Sequence, residues 1–197
     1  VFPVKKKKNS DTAPVSDDYI AEWREMLGKN PYFSYDNWLA KIDVENQQPM
    51  IYEKESSEIL RKLSLKSREG GWKIVIMWLP EKMKEAGSNK LLKIIEEPPH
   101  KTLFLLVSEE PDKIISTIWS RTQRVDVPRI AQTDIENALV ARYGLAFDDA
   151  KVVAQQSAGN WEKAEEQLSV SEEKALYLDL FMQLMRVAYA RNIRDMK

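Results

Sequence analysis

Ile74-Val75-Ile76-Met77-Trp78-Leu79 is a continuous apolar run set between Lys73 and Pro80. It is too short for a buried helix and rich in β-branched residues, so it predicts a β-strand covered on both faces. Thr102-Leu103-Phe104-Leu105-Leu106-Val107 is a second run of the same kind. Between them Met83, Leu91, Leu92, Ile94 and Ile95 recur at helical spacing, and Glu96-Glu97-Pro98-Pro99 closes that helix. Proline disfavours the helical region for the residue before it, which puts the boundary at Glu97. After Pro111, Ile114 and Ile118 mark a short helix, and Arg124-Val125-Asp126-Val127 reads as a third short strand ended by Pro128. Strand, helix, strand, helix, strand at this spacing predicts an α/β fold with a parallel sheet.

Outward from this centre the pattern is helical. Upstream, Ser16-Asp17-Asp18 offers an N-cap with acids in the first turn. Tyr19, Ile20, Trp23, Met26 and Leu27 follow at helical spacing, and Gly28 supplies a stop. Tyr35, Trp38, Leu39 and Ile42 share one face of a second helix, and Ile59, Leu60, Leu63 and Leu65 the face of a third, over about 53–67. Residues 1–16, with the basic run Lys5 to Lys8, read as a disordered basic tail that is solvated rather than bound to nucleic acid. Downstream of Pro128, Ile135, Leu139 and Tyr143 mark one helix, Phe147, Val152 and Val153 another, and Trp161, Ala164 and Leu168 a third. A last helix begins near Ser171, after a break near Ser169. The predicted organisation is therefore an α/β part over 17–128, a small helical domain over 129–168, and a further helix over 169–197.

Composition narrows the function. Thirty Lys and Arg against thirty-one Asp and Glu give a net charge of −1, which excludes a general polyanion binder. There is no cysteine, so disulfides, thiolate zinc sites and cysteine nucleophiles are excluded within this chain. The single histidine, His100, follows two prolines and reads as a solvated turn residue. No apolar run approaches the roughly 20 residues needed to span a bilayer. Val1-Phe2-Pro3-Val4 is too short for a secretory signal, and a start without Met points to a piece of something longer. The six tryptophans read as core or partner-facing anchors rather than base-stacking platforms. Glu96-Glu97 does not form an acid pair, because adjacent helical residues point about 100° apart.

Ser88-Asn89-Lys90-Leu91-Leu92-Lys93-Ile94-Ile95-Glu96-Glu97-Pro98-Pro99 resembles the NALLKxLEEPP segment of bacterial DNA polymerase III clamp-loader subunits. Phe104-Leu105-Leu106-Val107 follows at the distance seen in that family. Thr117-Ile118-Trp119-Ser120-Arg121-Thr122 then resembles its TIxSRC motif. The resemblance covers residues 50–168 well and the first 49 loosely. It implies an AAA+ architecture: a nucleotide-binding-type α/β domain, a helical lid over 129–168, and a helical collar of which only the first helix is present. The family's phosphate loop and its four-cysteine zinc module would lie upstream of Val1, so no cofactor is expected in this chain.

Within that resemblance the chain departs from a working ATPase at two positions. A Walker B strand ends in an Asp that holds Mg²⁺ through water and a Glu that polarises the attacking water. Here those positions are Trp78 and Leu79, neither of which can bind a hard cation or accept a proton. Glu81 lies two residues further on, past Pro80, and no Asp lies between Lys73 and Glu81. Active relatives also carry an arginine in a lid Gly-x-x-Arg segment, and Gly159-Asn160-Trp161-Glu162 puts a negative charge there. The resemblance thus leans toward the delta-prime branch, which is not itself an enzyme, and away from the catalytic gamma/tau branch. By the same resemblance Arg121, between Ser120 and Thr122, is an arginine finger for ATP on a neighbouring subunit. A guanidinium suits the task because it is always charged and forks onto two oxygens; the humbler alternative is that Arg121 caps its helix or pairs with a local acid such as Asp126. The implied partners are gamma/tau and delta subunits, with the beta sliding clamp and primer-template DNA met through the assembly in the cytoplasm. An active gamma/tau-type ATPase and a pure interaction scaffold are the competing readings.

Overall fold

The two apolar runs pair. In the computed structural model, β1 (Lys73–Trp78) and β2 (Thr102–Val107) form a two-stranded parallel sheet in which Lys73 faces Thr102 and Trp78 faces Val107. The structure describes residues 1–6, 12–44, 47–65 and 70–189, without the side chains of 169–176 and 187–189. The chain divides into two units, Val1–Val125 and Asp126–Lys197, three residues before the predicted boundary.

In the first unit α1 (Ile20–Lys29), α2 (Tyr35–Lys41) and α3 (Glu53–Ser64) precede β1. The crossover from β1 to β2 is α4 (Glu85–Glu96), and α5 (Ser116–Trp119) follows β2. One face of the sheet rests on a core of Ile51, Ile59, Leu63, Met77, Met83, Leu91, Ile95 and Ile118. Alternation places Val75, Met77, Phe104 and Leu106 on that side. The expectation of strands covered on both faces does not hold. Ile74 and Ile76 are 57% and 55% exposed, and Leu103, Leu105 and Val107 are exposed beside them, because no described element covers that part of the sheet.

The predicted third strand, Arg124–Val127, is also absent. A strand needs a paired edge, and here the stretch joins neither β1 nor β2, leaving Val125 78% and Val127 89% exposed. The predicted tail is a third correction. Phe2, Pro3 and Val4 are buried, Val4 bridges to Met50, and Pro14, Val15 and Ser16 are buried as well. The apolar residues flanking the lysine run anchor it, while residues 7–11 lie outside those described.

Smaller differences have local causes. Ser16 does not cap α1: it sits in a 3-10 turn (Ser16–Tyr19), where its hydroxyl accepts from the Phe2 N–H at 3.2 Å. Helix α1 runs through Gly28 to Lys29, and α3 stops at Ser64, so Leu65, expected in its buried stripe, turns into extended backbone and is exposed. Met83 precedes α4 and enters the core from an isolated bridge to Ile51.

The second unit is helical: α6 (Gln132–Tyr143), α7 (Phe147–Ser157) and α8 (Trp161–Tyr189). Its core is Ile135, Leu139, Ala150, Ala154, Trp161 and Ala164. The small residues Ala150 and Ala154 form the seam of α7, so Phe147 and Val152, expected inside, are exposed. No break occurs near Ser169, where α8 runs straight through the expected start of a separate helix. No described helix is long and apolar enough to cross a membrane.

Candidate functional site: a filled strand end and a surface arginine

The end of β1 is the place where the family's metal-holding acids would stand. Trp78 is half-buried and packs into a cluster of rings supplied by α1, α2 and the segment between them. Its ring centroid lies 5.2 Å from Trp23, 5.5 Å from Phe33 and 6.2 Å from Tyr35. Trp23 in turn stacks on Phe2 at 4.2 Å and meets Trp38 edge-on at 5.2 Å. Trp38 is fully buried, and its indole N–H donates to the Pro3 carbonyl at 2.7 Å. Lys82 Nζ lies 4.9 Å from the Tyr35 ring centroid. The cluster gives a packing role to Trp23, Phe33, Tyr35 and Trp38, in a stretch to which the motifs assign none. Its signal in the sequence is the density of Tyr, Trp and Phe between positions 19 and 38.

Leu79 follows in a left-handed conformation (φ 57°) and is buried, with its N–H donating to the Val107 carbonyl at 2.8 Å. A β-strand can turn this sharply at a non-glycine residue only when its surroundings hold the strain. The next acid, Glu81, is already engaged. One oxygen accepts the Ser108 hydroxyl at 2.8 Å, and the other accepts the N–H groups of Glu109 and Glu110 at 3.2 and 3.3 Å. Glu81 therefore clasps the loop after β2 to the loop after β1. In the register the resemblance implies, an indole and an isobutyl group stand at the acid positions, and neither can ligate Mg²⁺. Among the described residues no group of three or more acids or histidines converges as a metal site.

Arg121 sits just past α5, whose Ile118 is buried in the core one turn earlier. The guanidinium is not sunk within its own unit, since the side chain is 33% exposed. Its Nε donates to Glu96 Oε2 at 2.9 Å, and one terminal nitrogen donates to the Thr117 carbonyl at 3.0 Å and the Ser120 hydroxyl at 3.3 Å. The acid it finds is thus Glu96 at the end of α4, 25 residues upstream rather than beside it in sequence. Thr122 directs its hydroxyl to the Ile118 and Trp119 carbonyls. Trp119 is exposed, with Arg124 at 5.6 Å from its ring. The sequence reading weighed Glu81 and Glu96 but found the partners of neither. Nothing local marks the first, whereas the second is visible as the acid ending the LEEPP-like segment.

In the second unit Glu162 lies half-buried in the first turn of α8, where a negative charge suits the helix dipole. The preceding turn is tight. Gly159 has φ 83°, and its carbonyl accepts the Ile130 N–H at 3.2 Å.

Comparisons with known proteins agree with the motifs. The family model described as "DNA polymerase III, delta subunit" matches residues 36–131. The DNA polymerase III subunit delta' of Yersinia pestis is 42% identical over 66 residues, covering 32% of this chain and 19% of that protein. Over this stretch the chain is similar to the clamp-loader subunits of DNA polymerase III. The subunit delta' of Buchnera aphidicola is 49% identical over 55 residues, 28% of this chain and 16% of the relative. The subunit gamma/tau of Mycobacterium bovis is 42% identical over 69 residues, 33% of this chain and 12% of the relative. The matched stretch thus spans no more than about a fifth of these relatives, and both branches of the family match it. A gamma subunit-related protein from Thermotoga maritima, solved by crystallography, superposes with a TM-score of 0.47 at 22% identity, over 62% of this chain and 40% of that one.

Proposed function

We propose that this chain is part of a delta-prime-type clamp-loader subunit, which hydrolyses no ATP itself and offers Arg121 to ATP held by a neighbouring gamma/tau subunit. The observation that carries the reading is the filling of the β1 end by Trp78 and its ring neighbours. Catalysis of phosphoryl transfer depends on a bound cation and a carboxylate aimed at water, and that position offers neither. Glu81, the nearest acid in sequence, is held by three donors. Meanwhile a permanent cation stands at the surface, on a motif shared with the family. In this mechanism ATP bound by the neighbour draws its γ-phosphate against the guanidinium, which stabilises the charge that develops during transfer. The assembled ring opens the sliding clamp and grips primed DNA, and hydrolysis releases both.

The test is Arg121→Ala in the full-length protein, reconstituted with gamma/tau, delta, clamp and primed DNA. Arginine fingers contribute about 10³–10⁵ in rate at a single site in well-studied GTPases, so losing one should lower DNA-stimulated turnover about tenfold while assembly persists. Unchanged turnover would leave a scaffold role. ATP hydrolysis by the full-length protein alone would instead favour the gamma/tau reading, for which the 42% identity to the Mycobacterium bovis subunit speaks.

A further inference from the structure

Among the described residues one ion pair joins the two motifs most characteristic of the chain. Glu96 ends the LEEPP-like helix α4, and Arg121 follows α5 in the SRC-like segment. Both side chains are substantially exposed, 57% for Glu96 and 33% for Arg121, and an exposed pair of this kind adds little to stability. Its geometry is nonetheless specific. The carboxylate takes the Nε–H, at the root of the guanidinium, and the Thr117 carbonyl and Ser120 hydroxyl take hydrogens of one terminal nitrogen. The other terminal nitrogen has no bond among the described residues. A planar guanidinium held at its root and along one arm can turn very little, so the remaining N–H edge points in one direction.

Resting on the finger reading above, we propose that Glu96 is a positioning residue: it anchors Arg121 through Nε so that the remaining edge meets the phosphate oxygens of a nucleotide on the adjoining subunit. The carboxylate touches neither nucleotide nor water in this role. It fixes the rotamer of a long side chain before the subunits meet, which removes an ordering cost at the moment of transfer. Glu97, the neighbouring acid, lies past the end of α4 with non-helical backbone (φ −124°, ψ 75°) and does not share the task.

The experiment uses the reconstituted loader with ATP, clamp and primed DNA, and full-length protein carrying Glu96→Ala, Glu96→Gln, Arg121→Ala or the double change Glu96→Ala/Arg121→Ala. Glu96→Ala should lower maximal turnover about threefold with little change in the KM for ATP, because the residue orients a group without binding nucleotide. Glu96→Gln keeps an oxygen that can accept the Nε–H and should recover most of that loss. The double variant should turn over no more slowly than Arg121→Ala alone, since Glu96 acts only through the arginine. If Arg121→Ala slows the loader while Glu96→Ala does not, the positioning role is wrong and the finger stands. Additive losses in the double variant, or faster turnover by Glu96→Ala, overturn the inference in the same way. No effect of Arg121→Ala removes the finger and the inference together. Elution of each variant with the intact complex separates these outcomes from a failure to assemble.

Discussion

Returning the family's acids to the end of β1, by Trp78→Asp with Leu79→Glu, should not create an ATPase; it should unfold much of the first unit. Trp78 touches three aromatic rings at 5.2–6.2 Å. Ring pairs of this kind contribute about 0.5–1.5 kcal/mol each beyond the area they bury, so Trp78→Asp alone should cost about 2–4 kcal/mol. Leu79 is 2% exposed and held at a positive φ. Exchanging a buried leucine for a carboxylate there adds about 2–5 kcal/mol, combining lost packing with a charge taken out of water. Together the two changes rival the whole stability of an ordinary domain, about 5–15 kcal/mol. Urea unfolding of the full-length protein followed by far-UV circular dichroism, alongside an ATP hydrolysis assay, reads both halves. Trp78→Phe, which keeps a ring in place, should be far milder than Trp78→Asp. A double variant as stable as the parent that hydrolyses ATP would show that the site lacks only its charges, and the filled-site reasoning would fail.

Two further measurements test the fold and its electrostatics. Adding a methyl at Gly159 would place it 2.7 Å from Arg129 Cβ and 2.9 Å from the Ile130 carbonyl oxygen, at φ 83°, whereas at Gly144 (φ 66°) nothing lies within 4 Å. Gly159→Ala should therefore cost about 1–3 kcal/mol and exceed Gly144→Ala, which carries backbone strain alone; equal losses in thermal unfolding would refute the close approach. Glu25 bridges Lys29 at 2.7 Å and Lys41 at 2.6 Å, and these ammonium groups hold its carboxyl down at about 2 from the usual 4.5. Because the folded-state value is depressed, its support is complete above about 4.5 and fades as pH falls toward 2. An NMR titration should find a midpoint near 2, and Lys41→Ala or added salt should raise it; a midpoint in the ordinary carboxylate range would refute the bridge.

Much of this molecule is legible in its sequence, and the failures share a cause. The apolar runs at 74–79 and 102–107 pair as predicted, because a short β-branched run bounded by breakers has few other outcomes. The core face of α4 and the buried Ile118 follow from the same periodicity. Local pattern misleads wherever the partner is remote. Val125 and Val127 look like strand residues, but pairing depends on an edge that composition cannot reveal. Phe2 and Val4 look like tail, yet Trp38 and Met50 seat them from more than thirty residues away. At the site the apolar identities of Trp78 and Leu79 are plain in the sequence, while the rings and backbone groups they meet are not. The rings around Trp78 come from α1 and α2, and the partner of Arg121 from the far end of α4.

On the proposed reading, why a domain without its own chemistry would keep this architecture follows from how Arg121 is carried. The arginine is displayed by a single turn of helix, too short to hold itself in water, so its place is set by what Ile118 packs against. Ile118 shares one core with Met77 of β1, Leu91 and Ile95 of α4, and Ile59 and Leu63 of α3. Strand β1 therefore helps, through the face that bears Met77, to seat the turn of helix that precedes the guanidinium. Trp78 and Met77 are adjacent and point to opposite sides of the sheet. Trp78 packs among rings, whereas Met77 shares a core with the Ile118 that seats Arg121. If Arg121 serves a neighbour's nucleotide as proposed, selection on it would preserve the inner face of this strand and leave its outer tip free to fill with aromatic side chains.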